Sequence, residues 1–289
     1  MRLLITGASG FLGSHLVKKL LLDGHQVVII KRKTSDLYRL KDCLNRIDLF
    51  NSDVNLESIF DSRKIDGVIH LAVCYGRNDE SVAKIFETNT VFSLKLLEAA
   101  VAAEVGIFIH SDTSLDKYLN PYSISKRQFS EWGEWIAKRG HINFLNIRLE
   151  HMYGINDDPS KFTSFVVQSL LKNIVKIDLT KGEQLRDFIY IDDVVSAFQI
   201  LLNSMVEKNK AGFVECDLGS GEAVQIRDFV EMVHKITGSK TVLNFGALPY
   251  RSGEVMQTHA DLTYLKSLGW NAAIKLSDGL QKIIENEKK

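Results

Sequence analysis

Near the amino terminus a short apolar run, Leu3-Leu4-Ile5-Thr6, passes directly into Gly7-Ala8-Ser9-Gly10-Phe11-Leu12-Gly13, and a helical repeat through Leu16, Leu20 and Leu21 follows until Asp23-Gly24 stops it. Strand, glycine loop and helix in that order leave few folds open. The first glycine permits a tight turn, the second lets backbone approach a pyrophosphate, and the third allows close helix packing, with the helix N-terminus facing the anion. A glycine pattern placed directly between a strand and a helix is a far stronger signal than the same pattern alone. Gly7, Gly10 and Gly13, with Phe11 and Leu12 between them, are the first candidate cofactor contacts.

The next strand, Val27-Val28-Ile29-Ile30, ends in Lys31-Arg32-Lys33, where an NAD-preferring site places an acidic residue to accept from the ribose 2′-hydroxyl. Three cations stand there instead. Arginine grips a 2′-phosphate bidentately, so NADPH/NADP is the expected cofactor, with NAD still possible; an exposed basic strand end is the other account. Residues 46–53 read as a third strand closing at Asp53-Val54, with Asp53 placed to accept from the adenine amine. After a helix near 55–63, Asp66-Gly67-Val68-Ile69-His70-Leu71-Ala72-Val73 reads as a buried parallel strand bringing Leu71, Ala72 and Val73 beneath the cofactor. Such near-continuous apolar strands alternating with helices predict an α/β, doubly wound parallel (Rossmann) sheet. Cys74-Tyr75-Gly76-Arg77 follows at a strand's carboxyl end, where ligands bind in these sheets. Tyr75 and Arg77 are candidate substrate contacts, and a solvated loop accounts for them equally.

A long helix over roughly 80–104 carries Asn89, and a fifth strand, 105–110, delivers Ser111-Asp112-Thr113. A helix over about 121–139 holds Tyr122 and Lys126 four residues apart, on one face, and the strand 142–148 completes the sheet. A free tyrosine has a pKa near 10, and each unit is about 1.4 kcal/mol. Bringing the phenol to about 7, where it matches a general acid's task, needs roughly 4 kcal/mol, which a neighbouring ammonium in a dry site can largely supply. A Tyr-x-x-x-Lys pair alone is also an ordinary amphipathic surface pair; the preceding loop and strands give it weight.

Beyond residue 150 the elements shorten, with loop signals at Asn156-Asp157-Asp158-Pro159. The expected organisation is a dinucleotide-binding domain over 1–155, to which a segment near 186–205 returns, and a smaller α/β substrate lobe over 156–289. Asp192 is expected to cap a helix. The turn Gly219-Ser220-Gly221 follows a strand-like Phe213–Leu218, and helices near 225–237, 261–268 and 275–287 finish the chain. With 36 basic and 36 acidic residues among 289, nothing global invites nucleic acid or an anionic membrane. Three cysteines without Cys-x-x-Cys spacing suggest neither a disulfide framework nor a metal site, and no apolar run approaches a membrane span. A cytoplasmic protein is expected.

These residues resemble the extended short-chain dehydrogenase/reductases that act on nucleotide sugars. The resemblance spans essentially the whole chain, through the Gly7/Gly10/Gly13 loop, His70-Leu71-Ala72, Thr113, Tyr122 with Lys126, Arg186-Asp187-Phe188-Ile189-Tyr190, Gly219-Ser220-Gly221 and Arg251-Ser252-Gly253-Glu254. It implies Thr113, Tyr122 and Lys126 as the catalytic group, Arg186 and Arg251 as the grip on a substrate diphosphate, and a homodimer built on a two-helix face. More narrowly, Cys74–Arg77, Leu149-Glu150-His151-Met152-Tyr153-Gly154, Lys161–Ser164 and Gln184–Phe188 are similar to the CDP-paratose and CDP-abequose synthases, which reduce the 4-keto group of a CDP-3,6-dideoxyhexulose with NADPH in O-antigen synthesis. His151 stands where many relatives carry an asparagine that touches the sugar nucleotide; a substrate contact and a structural histidine are both open.

Three chemistries share such a scaffold. A 4,6-dehydratase needs an acid and a base after the catalytic threonine, and Ser114-Leu115 stands there. A 4-epimerase retains NAD, whereas Lys31-Arg32-Lys33 suggests NADPH exchanged at each turnover. Reduction is therefore the expected reaction, with epimerisation on bound NAD the alternative and a catalytically silent cofactor-sensing protein the second alternative.

Overall fold

The computed structural model describes residues 1–208, 210–251 and 253–288. The chain runs β1 (Arg2–Thr6), α1 (Phe11–Leu22), β2 (Gln26–Lys31), β3 (Ile47–Asn51), α2 (Leu56–Ser62), β4 (Gly67–His70), α3 (Val82–Phe86), a π-helical turn (Glu87–Val91), α4 (Phe92–Ala102), β5 (Ile107–Thr113), α5 (Pro121–Ala137) and β6 (Asn143–Leu149). It continues through β7 (His151–Tyr153), α6 (Phe162–Leu171), β8 (Lys176–Leu179), β9 (Leu185–Tyr190), α7 (Ile191–Lys208), β10 (Gly212–Leu218), β11 (Ala223–Gln225), α8 (Ile226–Thr237), β12 (Val242–Phe245), α9 (Thr263–Ser267) and α10 (Leu276–Glu287).

Seven strands form the main sheet in the order β10-β6-β5-β4-β1-β2-β3, and the pairs from β3 to β5 are parallel. Strand order reverses beside β1, the switch point at which doubly wound sheets bind ligands. The apolar runs are apolar because helices cover both faces: Leu3, Leu4 and Ile5 are fully buried, as are Phe108 and Ile109. Two compact units are present, Met1–Arg148 with Phe198–Cys216, and Leu149–Ala197 with Asp217–Lys289.

Helix α5 shows how local sequence places a functional segment. Asn120 accepts a hydrogen bond from the Ser123 backbone N–H at 2.9 Å and Pro121 fills the first turn, both strong helix starters. Its buried face repeats at helical spacing through Lys126, Phe129, Ser130, Gly133, Ile136 and Ala137. Gly133 lies directly under the Phe144 ring, where a Cβ would collide, so the helix seats close to β6. Phe129 meets Phe108 edge-on, and Phe108 stacks on Phe144 at 5.3 Å.

Four expectations change. The strand 142–148 does not complete the sheet, because β10 pairs outside it. The long helix over 80–104 is three pieces, with a π turn centred on Asn89, a local widening common at functional sites. The fourth strand ends at His70, not Val73: the Leu71 N–H is shared between the Thr6 carbonyl and Thr6 Oγ1, each at 3.2 Å, and the Ala72 N–H donates to Thr6 Oγ1 at 3.2 Å in place of a backbone carbonyl. Asp192 lies inside the first turn of α7. The neighbouring Asp193 makes the fixing contacts, its carboxylate accepting from the Ala273 N–H at 3.1 Å and the Ile274 N–H at 2.9 Å.

Candidate active site

The glycine loop has the shape a diphosphate requires. Gly7 has φ +70°, and a Cβ there would sit within 2.5–2.7 Å of Leu71 and Ala72 backbone, so no other residue is accommodated. Gly10 heads α1 in extended conformation with no side-chain cap, which leaves the first N–H groups and the positive helix end for an anion. Gly13 abuts the Gly7 carbonyl and Ala8. Phe11 and Leu12 are buried behind the loop, and Leu71 is buried beside half-buried Ala72 and Val73. A dinucleotide fits this cradle; a reduced nicotinamide cofactor would supply a hydride.

At the end of β2, Lys31 Nζ donates to Asn51 Oδ1 at 3.2 Å. The chain then turns, the Arg32 N–H donating to Ser35 Oγ at 3.2 Å and the Ser35 N–H to the Arg32 carbonyl at 3.0 Å. Lys33 pairs with Asp53 at 2.7 Å, both exposed; this hydrogen bond raises the lysine pKa and lowers that of the carboxyl. Asp53 and Val54 lie past the end of β3, in a turn closed by Val54 N–H to the Asn51 carbonyl at 3.1 Å. Among the described residues the exposed Arg32 guanidinium has no side-chain partner.

β4, β5 and α5 bring the proposed catalytic group together. Tyr122 is half-buried, and Thr113 is the neighbour that favours its ionised form against burial. Tyr75 packs its ring 5.0 Å from that of Tyr122, and the Arg77 guanidinium lies 4.5 Å over the Tyr75 ring. Gly76 between them has φ +73°, and a Cβ there would meet Ile85 at 2.7 Å, so the turn needs glycine. Lys126 is 2% exposed.

The electrostatics differ from the expected tuning of Tyr122 by Lys126. Burial pushes the phenol well above its ordinary value, Tyr75 and Asp112 push it further, and the Thr113 hydrogen bond and Arg77 oppose them. Lys126 is not among the groups that lower it. Burial brings the lysine itself down to about 8, with Asp112 opposing. Tyr122 therefore carries its proton throughout the neutral range, the form a donor to a carbonyl oxygen needs.

A polar core that sequence reasoning left unassigned supports this group. Thr6 Oγ1 already accepts from two N–H groups, so its hydroxyl donates to His70 Nδ1 at 2.7 Å. His70 Nε2 is then the protonated nitrogen, donating to Ser93 Oγ at 2.7 Å, and Ser93 donates to the Asn89 carbonyl at 2.8 Å. Asn89 holds the loop before Tyr75 by accepting from the Cys74 N–H at 2.7 Å and donating to its carbonyl at 2.9 Å. The helical reading showed Asn89; its π turn, the usable signal, exists only in the fold.

The remaining candidates belong to the second unit. His151 is paired in register with Phe188, and its Nδ1 lies 3.5 Å from Glu150 Oε2. Arg186 is bound to Glu254 at 2.5 Å, and Glu254 closes a turn by donating its N–H to the Arg251 carbonyl at 3.1 Å. The two arginines are thereby tied through one short segment, with Arg251 exposed; Ser252 of that motif lies outside the described residues. Asp187 clamps the Gly219-Ser220-Gly221 turn, accepting from the Ser220 N–H at 2.7 Å and the Gly221 N–H at 2.9 Å. Among the described residues no cluster of three or more His, Cys, Asp or Glu side chains could hold a metal, and no helix is long and apolar enough to cross a membrane.

Comparison with known proteins places this geometry. The CDP-abequose synthases of Salmonella typhimurium and Salmonella muenchen are 32% and 31% identical to the chain, each alignment covering 98% of it and 97% of the relative. The structure of UDP-glucuronic acid 4-epimerase from Bacillus cereus in complex with UDP-glucuronic acid and NAD superposes with a TM-score of 0.85 at 27% identity, covering 100% of this chain and 99% of that one. The NAD dependent epimerase/dehydratase family profile matches residues 3–216, and with relatives this similar over their full length, the chain belongs to that family.

Proposed function

We propose that the protein is an NADPH-dependent oxidoreductase that reduces the 4-keto group of a nucleotide-activated deoxyhexose, a CDP-3,6-dideoxy-4-hexulose giving CDP-paratose or CDP-abequose. The observation that carries this reading is the half-buried Tyr122, its ring 5.0 Å from that of Tyr75, keeping its proton through the neutral range and standing one turn before buried Lys126 on α5, in the unit that also holds Thr113 and the glycine cradle. The CDP-abequose synthases among its relatives support the substrate class.

In this mechanism Tyr122 gives its proton to the C4 oxygen as hydride reaches C4. Thr113 polarises the same oxygen and favours the phenolate that forms, and Lys126 holds the nicotinamide ribose. Arg32 and the flanking lysines bind the 2′-phosphate. Arg186 and Arg251 take the substrate diphosphate, Arg186 exchanging Glu254 for it, while Tyr75, Arg77 and His151 contact the sugar nucleotide.

A panel of 4-keto nucleotide sugars incubated with NADPH tests this: the CDP-linked deoxy sugar should oxidise NADPH, and NMR of the product identifies the C4 configuration. A second reading, 4-epimerisation on retained NAD, is favoured by NAD in the matched Bacillus cereus structure. Co-purified NAD with interconversion of C4 epimers, and no net NADPH oxidation, would establish it instead.

A further inference from the structure

Glu150 follows β6 with its side chain 2% exposed, and the proposed mechanism does not use it. Among the described residues its carboxylate accepts no hydrogen bond, and Oε2 is enclosed. The contact it makes is with His151 Nδ1, which lies 3.5 Å from Oε2 and is itself buried without a hydrogen-bond partner. Native proteins leave few such atoms. Here two of them stand at ion-pair distance from each other.

Backbone geometry sets up this meeting. Successive side chains on a strand point to opposite faces, but the Met152 N–H donates to the Glu150 carbonyl at 2.9 Å, a three-residue turn centred on His151. That bend lets neighbouring side chains meet, and the Glu150 N–H is anchored to the Leu218 carbonyl at 2.9 Å. On the other side His151 pairs in register with Phe188, whose ring lies 5.9 Å from its own. Arg186, proposed to hold the substrate diphosphate, stands two residues before Phe188 on β9 and so shares that face. Strand spacings put the two backbones about 8 Å apart.

Nδ1 is enclosed while 38% of the His151 side chain is exposed, so a ligand reaches the ring at its Nε2 edge. A carboxylate only accepts. The proton of a singly protonated ring therefore belongs on Nδ1, which leaves the lone pair on Nε2.

We infer that Glu150 is a positioning residue and His151 a specificity-determining one: the pair presents Nε2 as an acceptor for a hydroxyl or amino donor on the bound nucleotide sugar. The inference rests on the nucleotide-sugar reading for its ligand. Hydroxyls of either sugar and the exocyclic amine of cytosine share that donor chemistry, whereas uracil carries a carbonyl oxygen in place of the amine.

Two measurements on the full chain test this. Long-range proton–nitrogen NMR in mildly alkaline buffer, where imidazole holds one proton, should place the His151 proton on Nδ1, the signal being assigned by its loss in His151→Phe. Glu150→Leu removes the acceptor together with a buried charge, which a fold tolerates, and should release the proton to Nε2; Glu150→Met carries the same test if the leucine variant does not fold. Calorimetry with CDP-glucose should give a Kd roughly 5- to 10-fold weaker in Glu150→Leu and in His151→Phe, with KM for the 4-keto substrate rising more than kcat falls. The loss should vanish with UDP-glucose if the donor is the base amine, vanish with CDP if it is a hexose hydroxyl, and persist with both if it is a ribose hydroxyl. A wild-type proton on Nε2, a proton unmoved by Glu150→Leu, or undiminished CDP-glucose affinity in His151→Phe overturns the inference. If the wild-type protein binds none of these nucleotides, the nucleotide-sugar reading fails, while the position of the ring proton still decides whether Glu150 holds His151.

Discussion

Asp112 in the first unit and Asp187 in the second are both buried aspartates, and they are satisfied in opposite ways. Asp187 is fully buried and its two oxygens accept from the Ser220 N–H and Oγ, each at 2.7 Å, the Gly221 N–H at 2.9 Å and the Ala260 N–H at 3.2 Å. All four donors are neutral and all come from loops it pins. Asp112 has two donors, the Thr113 N–H at 2.8 Å and Asn146 Nδ2 at 3.0 Å, and its surroundings are incomplete: both ring nitrogens of His110 and Asn146 Oδ1 are buried without partners among the described residues. Native cores leave few such groups. Completed polar satisfaction fits a clamp that builds architecture; the open polar atoms around Asp112 lie in the unit that holds the proposed catalytic group. In the second unit the same incompleteness recurs at Glu150 Oε2 and His151 Nδ1, where the chain enters β7.

The comparison breaks most directly at the two ends of that contrast. Tyr122→Phe should lower kcat by roughly 10³, about 4 kcal/mol in the barrier, with an unchanged thermal transition; near-normal turnover would remove Tyr122 from its role. Asp187→Ala should do the reverse, lowering stability by roughly 3 kcal/mol because four donors lose the buried carboxylate that accepts from them, measured as an earlier denaturant midpoint. Unaltered stability would show that Asp187 is not a clamp. Arg32→Ala should weaken NADPH binding about 10- to 100-fold and NADH little, and equal losses would refute the 2′-phosphate contact.

A smaller effect sharpens the contrast through pH. His70 and His110 have folded pKa values depressed well below 6.5 by burial, so below that pH the unfolded chain binds more protons than the native one. Their contribution is full above 6.5 and declines as pH falls, by up to about 1.4 kcal/mol per pH unit for each histidine. His110→Phe should flatten this acid limb in chemical denaturation, and an unchanged limb would show that His110 does not set it. Smallest of all, Asp53→Asn breaks an exposed ion pair with Lys33 and should leave the denaturant midpoint where it is.

Much of the fold was legible because its signals are local. Gly7, Gly10 and Gly13 report backbone geometry, and the Val27–Ile30 and Ile107–Ile109 runs report burial on both faces of a sheet. Asn120-Pro121 reports a helix start. The candidate site was partly legible: spacing put Tyr122 and Lys126 on one face of α5, and the fold adds the neighbours that act on the phenol, Tyr75, Thr113 and Asp112. What was misread depended on distant partners. The end of β4 is set by Thr6, 65 residues from Leu71, and the outer position of β10 is a choice of neighbour that its own residues do not encode.

The amino-acid sequence by itself determined where the chain turns, which faces are apolar and which residue types stand at the ends of its strands, since each follows from contacts among near neighbours. Tertiary structure alone decided the charge states. The high pKa of Tyr122, the lysine brought to about 8 and the circuit from Asp112 through Asn146 and Glu215 to Arg127 come from burial and hydrogen bonds summed over segments as far apart as the 88 residues between Arg127 and Glu215. A proton's affinity at a buried atom depends on everything packed around it, and that is not written in any one stretch of chain.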